Sequence, residues 1–144
     1  MVKSKNMDIY FSCSITGGRQ DQQVYAHIVQ YLQSLGHAVL TAHLSNADVH
    51  KAESRADAAQ VYQRDVDWVQ RCHALVAEVS TPSHGVGYEI ALALQLDKPV
   101  LCCYGADRTV SKMILGNPHS KLRLCQYHSP KHLETQLRDL LFSI

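Results

Sequence analysis

Short apolar runs alternate along this chain with longer segments whose apolar residues recur every three to four positions, and that alternation admits few folds. Five runs read as strands: Asp8 to Cys13, His37 to Thr41, Ala74 to Val79, Pro99 to Tyr104 and Leu122 to Gln126. Helical periodicity fills the intervals at 20–35, 57–72, Val86 to Leu96, 108–115 and Pro130 to Phe142. In the first of these, Val24, Tyr25, Ile28, Val29, Leu32 and Leu35 form one stripe, and Gly36 ends the helix. In the second, Val61, Tyr62, Val66, Trp68 and Val69 are expected to turn inward. Residues 42–56 are polar without a strong period and read as a loop with room for one helical turn. Strand and helix in strict alternation predict an α/β fold, a five-stranded parallel sheet with helices on both faces, flavodoxin- or Rossmann-like. A length of 144 residues suits one such domain, with residues 1–6 expected to be a flexible start.

Charge removes some function classes. The chain carries 14 basic and 13 acidic side chains, so nothing drives it onto a nucleic acid polymer, which calls for a basic face. A small anion needs only a local cluster of donors. The five cysteines include no CxxC pair, and three lie in apolar strands; they read as reduced, mostly buried thiols. The nine histidines show no metal-ligand spacing, so no metal and no cofactor are expected. The N-terminus has no apolar leader and no run is long enough to span a bilayer, which places the protein in the cytoplasm, small enough to diffuse into a nucleus.

Ligands of open α/β sheets bind beyond the carboxyl ends of the strands, which directs attention to the loops there. After the first strand stands Ser14-Ile15-Thr16-Gly17-Gly18-Arg19, with small residues that let backbone N–H groups approach an anion. It is neither a dinucleotide fingerprint nor a P-loop, and a tight turn reads equally well. After the third strand, Ser83-His84-Gly85-Val86-Gly87-Tyr88-Glu89 ends in a carboxylate expected in the first helical turn, where N–H groups and the helix dipole keep it ionised. Such a carboxylate can attack an anomeric carbon. Asp65 lies in the helix before that strand, with a direction that spacing alone leaves open; Asp67 reads as a surface acid. Glu78 sits within the third strand and reads as a paired structural acid. His43 follows the second strand at the ligand edge.

Taken together, Tyr10-Phe11, Ser14-Ile15-x-Gly17-Gly18-Arg19-x-Asp21-Gln22, Asp65-x-x-Trp68, Ala77-Glu78-Val79, Pro82-Ser83-x-Gly85-Val86-Gly87-Tyr88-Glu89, Lys98 to Cys102 and Ser111-x-Met113-Ile114-x-Gly116 stand in the order of one family. The chain resembles the 2'-deoxynucleoside 5'-phosphate N-hydrolases, the Rcl proteins, within the nucleoside 2-deoxyribosyltransferase superfamily. The resemblance runs from about Asp8 to Leu140. It implies a homodimer that cleaves deoxynucleoside monophosphates through a covalent deoxyribosyl ester. By position it makes Glu89 the nucleophile, Tyr10 the group that orients it near the sugar 2' position, and Asp65 the acid that assists base departure and then water attack. It assigns Ser14, Ser83 and Gly85 to the phosphate, with Thr16, Gly17 and Arg19 in the same loop. Ser111 is assigned to the site of the neighbouring subunit. His43, Ile15 and Met113 are assigned to the base and sugar pocket. Two departures, Thr16 where the family often has arginine and Cys13 where it often has glycine, bear on phosphate affinity and base preference.

Two other functions fit the same residues. A nucleoside 2-deoxyribosyltransferase would pass the sugar to a second base and ignore the phosphate. A non-catalytic nucleotide-sensing module would bind and release its ligand unchanged. A cytokinin-activating type of phosphoribohydrolase is disfavoured because its GGxGTxxE run is absent.

Overall fold

The computed structural model describes residues 5–15 and 21–144. Its elements in chain order are β1 (Asp8–Ser12), α1 (Gln22–Ser34), β2 (Ala38–Val39), a 3-10 turn (Ala42–Ser45), α2 (Val49–Arg55), α3 (Ala58–Arg71), β3 (Ala74–Glu78), α4 (His84–Gln95), β4 (Val100–Gly105), α5 (Lys112–Leu115), β5 (Leu122–Tyr127) and α6 (Pro130–Phe142). The strands form one sheet in the order β2-β1-β3-β4-β5, and every pairing is parallel. This is the doubly wound order in which the chain reverses direction across the sheet between β1 and β3, leaving a crevice at their carboxyl ends.

Strand parity divides the core. Ile9, Phe11 and Cys13 pack with the α1 stripe and with Leu133, Leu137 and Leu141 of α6. Tyr10, Leu75 and Ala77 point to the opposite face and pack with Val69 of α3 and with Val86, Ile90 and Ala93 of α4. All five residues of β3 are buried, as a central parallel strand covered on both faces requires. All five cysteines are buried and none forms a disulfide among the described residues. Helices α3, α4 and α6 start on side-chain caps: Asp57 accepts from the Gln60 N–H, Ser83 from Val86 and Ser129 from His132. Gly36 follows α1 with φ of +91°, the left-handed conformation that lets the chain turn back into β2.

Three expectations change. The second strand is two residues long, because Thr41 takes over the pairing with its side chain. Its hydroxyl accepts from the Phe11 N–H at 2.9 Å and donates to the Phe11 carbonyl at 2.6 Å, replacing a ladder rung. Residues 42–56 are mostly helical rather than loop; Leu44 and Val49 anchor them in the core, and two anchors are too few to give a period. Tyr62 lies on the outside of α3, 55% exposed, with its ring edge-on to Tyr88 of α4 at 6.3 Å.

Candidate active site

The crevice between β1 and β3 is where the chemistry-bearing residues meet. Tyr10 and Ser12 alternate with the α1-facing residues of β1 and so point toward α3 and α4. From α4, Glu89 reaches the same place. It is the sixth residue of that helix, which begins at His84, and therefore stands in the second turn rather than the first. Its side chain lies back over Gly85, one turn earlier, where a Cβ would stand 3.6 Å from Glu89 Oε1.

Glu89 is half-buried at the edge of the crevice. Oε2 is buried without a hydrogen bond, and the hydroxyls of Tyr10 and Ser12 are likewise buried and unpartnered. Burial pushes the Glu89 carboxyl up to about 7, with Asp65 adding to the rise, while the Tyr10 and Ser12 hydroxyls and Arg64 oppose it. The expectation that the helix N-terminus keeps this group firmly ionised is thus corrected: in the second turn, desolvation outweighs the dipole. Tyr10 is wholly buried, and burial first, then Glu89 and Asp65, raise its phenol, so the hydroxyl stays a donor. Tyr10 lies beside Glu89 and borders neither cavity described below.

Two cavities meet at the carboxylates. One, about 410 Å³, is bordered by Ile15, Glu53, Asp65, Ser83, Gly85 and Glu89; the second, about 230 Å³, shares Tyr62, Asp65, Gly85 and Glu89 with it. The larger lies within the usual range for small-molecule sites, about 300–1,000 Å³. Asp65 is accordingly turned into the cleft, which settles the direction that spacing left open, while Asp67 faces solvent. Burial raises the Asp65 carboxyl, and Arg64 opposes that rise through a 2.9 Å bond from Nε to Oδ1.

Arg64 also donates from Nη2 to Glu53 Oε1 at 3.1 Å, and His43 Nε2 lies 3.2 Å from the same oxygen. The Arg64 guanidinium sits 5.0 Å above the Trp68 ring, and the His43 ring is 5.8 Å from it. His43 thus joins the site through Glu53 and does not border either cavity. Ser12, Glu53 and Arg64 escaped the sequence reading. Strand parity with Tyr10 pointed to Ser12; Arg64 had only its adjacency to Asp65, and Glu53 lay in a stretch without a period.

The remaining candidates divide. Ser14 is buried in the loop that follows β1. Thr16, Gly17 and Arg19 lie outside the described residues. Ser83 borders both the Glu89 cleft and another cavity, of about 380 Å³, on the other side of the α4 N-terminus. Ser111 and Met113 border that other cavity and not the one holding Glu89; Met113 is 84% exposed, and Ser111 caps α5 by accepting from the Met113 N–H. Glu78 is fully buried, accepts from Tyr127 and from the Ser80 N–H and hydroxyl, and is the paired structural acid expected. Among the described residues no cluster of three or more metal-binding side chains occurs, and no helix is long and apolar enough to cross a membrane.

Comparison with known proteins places this architecture. A family model described as nucleoside 2-deoxyribosyltransferase matches residues 9–133. A Rattus norvegicus protein named 5-hydroxymethyl-dUMP N-hydrolase is 43% identical over 75% of this chain and 68% of its own length. Its Danio rerio namesake is 38% identical over 92% of this chain and 94% of its own. A Methanosarcina mazei protein provisionally named 2'-deoxynucleoside 5'-phosphate N-hydrolase 1 is 38% identical over 92% of this chain and 83% of its own. Among solved structures, the Clostridium botulinum CMP N-glycosidase BcmB superposes with a TM-score of 0.66 at 16% identity, covering 91% of this chain and 98% of that one, a likeness of fold.

Proposed function

Because the chain belongs to the nucleoside 2-deoxyribosyltransferase family, we propose that it is an N-glycosidase that hydrolyses 2'-deoxynucleoside 5'-monophosphates to free base and 2-deoxyribose 5-phosphate. The observation that carries this reading is the cleft in which two carboxylates, Glu89 and Asp65, border the same space, one of them with an unpartnered buried oxygen. The names of the relatives, N-hydrolases of deoxynucleoside phosphates, support the substrate class.

In the reaction, a carboxylate oxygen of Glu89 bonds to C1' as the C1'–N bond breaks. The electron pair of that bond goes to the base nitrogen, and Asp65 supplies the proton that makes the base a good leaving group. Asp65, now ionised, takes a proton from water as the water oxygen bonds to C1', and the ester pair returns to Glu89. The developing cation at C1' is stabilised by the Glu89 charge before the bond forms. Tyr10 donates toward Glu89 and orients it. Ser14, Ser83 and Gly85, with Thr16, Gly17 and Arg19 of the preceding loop, take the phosphate through hydroxyls and N–H groups. Ile15 flanks the base and sugar, and His43 acts on the site through Glu53.

The working unit in this reading is a homodimer. Ser111 and Met113 border a cavity separated from Glu89 by the α4 N-terminus. They serve the site of the neighbouring subunit, where Ser111 reaches the phosphate. The buried cysteines, none in a disulfide among the described residues, fit a reducing compartment, the cytoplasm with diffusion into a nucleus.

A panel of deoxynucleoside monophosphates and matching nucleosides, with free base detected, tests the proposal. Wild-type protein releases base from monophosphates, and Glu89→Ala loses that activity while still binding. Full turnover by Glu89→Ala overturns the role of Glu89, and a wild-type protein inert to every member overturns the enzyme. The family model's own description favours a second reading, transfer of the sugar from the same ester to another base. Exchange between a deoxynucleoside and an added base, without need of the phosphate, would establish it.

A further inference from the structure

We propose that Arg64 is a positioning residue for Asp65: it holds Oδ1 of that carboxylate so that Oδ2 is left for the substrate, and it couples the carboxylate to Glu53 across the cleft. The inference rests on the reading above, in which Asp65 exchanges a proton with the departing base.

Consecutive residues on a helix do not normally face each other, so an Arg64–Asp65 contact needs something to hold the guanidinium back along the helix. Two groups do so. Trp68, one turn further on, carries the guanidinium above its ring at 5.0 Å. Glu53 of α2 accepts from Nη2 at 3.1 Å and 3.4 Å through its two oxygens. Held at both points, the guanidinium presents Nε to Asp65 Oδ1 at 2.9 Å. Among the described residues, Oδ2 takes no protein hydrogen bond.

The electrostatic role follows from what faces Asp65. Arg64 stands on its own helix, Glu53 on α2, His43 on the 3-10 turn, Glu89 on α4 and Tyr10 on β1. Two of these are carboxylates, and Arg64 is the one guanidinium among them. Without it, Asp65 would face Glu53 and Glu89 in a half-buried setting and hold its proton more tightly. With it, Asp65 can surrender the proton to the base and later carry the charge that draws a proton from water. Glu53 matters in turn because its side chain is only 13% exposed, and its charge is balanced by Arg64 with His43 at 3.2 Å. The network also fastens α2, which forms one wall of the cleft, to α3, which carries the acid. Lysine cannot replace this arrangement, since a point ammonium cannot bond Asp65 and Glu53 from two nitrogens in one plane.

The test uses Arg64→Gln and Arg64→Lys, with two readouts. The first is the titration of the Asp65 carboxyl carbon by NMR. In Arg64→Gln its midpoint rises by about one pH unit; in Arg64→Lys it stays near the wild-type value. The second is base release from deoxynucleoside monophosphates. There kcat falls roughly tenfold in Arg64→Gln, with KM changed much less, and Arg64→Lys recovers part of the loss. An unmoved midpoint together with wild-type kcat in folded Arg64→Gln overturns the proposal. Should that variant fail to fold, Arg64→Lys decides: lowered kcat with an unmoved midpoint supports positioning, and wild-type kcat overturns it. Wild-type protein inert to every deoxynucleotide defeats the functional reading instead, and the titration still reports whether Arg64 governs Asp65.

Discussion

Glu89 combines a charge that the chemistry needs with a place that resists charge. Its carboxyl is raised by burial from 4.5 to about 7, so near neutral pH it is divided between the two forms. A folded value above the unfolded one means that the fold favours the protonated acid. The associated stability is complete below about 4.5 and is lost as pH rises through about 7. The size of the loss is on the order of 3 kcal/mol. Glu89→Gln, which cannot ionise, is therefore expected to unfold at a higher temperature than wild type at pH 8.5, and the advantage shrinks toward pH 5. Thermal unfolding of both proteins at the two pH values measures this. An equal fall in both would place the Glu89 carboxyl near its ordinary value. In the proposed reaction the same residue thus trades stability for a nucleophile, as buried functional groups commonly do.

At the scale of elements, α4 is both a structural helix and the frame of the site. One face carries Val86, Ile90, Ala93 and Leu94 into the core, and the turn from Ser83 to Gly85 opens onto the cleft. Gly85 has helical neighbours and no positive φ, so alanine there fits the backbone. The added Cβ would stand 3.6 Å from Glu89 Oε1 and 4.0 Å from Ser83 Oγ, ordinary contact distances for the protein. It would nevertheless occupy space on the cleft wall. Gly85→Ala is expected to keep or slightly raise stability, by up to about 1 kcal/mol, while KM for the deoxynucleotide rises severalfold. Urea unfolding and steady-state kinetics on the same preparation separate the two effects. A variant with unchanged KM would mean that the substrate does not approach the α4 N-terminus. Gly87, by contrast, has nothing within 4 Å of an added Cβ, and it borders the other cavity.

For the whole molecule, the proposed dimer has one testable consequence. Within one chain, Ser111 borders a cavity that does not contain Glu89. If the proposed dimer brings Ser111 to its neighbour's phosphate, defects at the two residues complement each other. Glu89→Ala and Ser111→Ala proteins, each deficient alone, are expected to regain activity after mixing and subunit exchange. In the mixed dimer one site receives Glu89 from the Ser111→Ala chain and Ser111 from its partner. Recovery of about a quarter of wild-type activity is the expected scale, since half the dimers are mixed and half of their sites are intact. Activity that stays at the average of the two separate proteins would confine Ser111 to its own chain, where it already caps α5.

Much of this protein was written in the order of its residues. The short apolar runs and the period-3.6 segments determined the five strands and every helix but α2, because burying a strand or one helix face demands that pattern whatever the tertiary detail. The motif around Ser83 to Glu89 and the stretch after β1 determined the family by resemblance. The order of neighbours in space was a different matter. Only the folded chain decided that Glu89 stands in the second turn, where desolvation outweighs the helix dipole. It alone decided that Tyr62 faces outward and that His43 meets Glu53. It also brought Arg64 back onto Asp65, its own neighbour, by means of Trp68 and a glutamate from another helix. The physical reason is common to all of these. Periodicity records which face of an element is buried, whereas pKa values and ion pairs depend on distances between elements that no local spacing encodes.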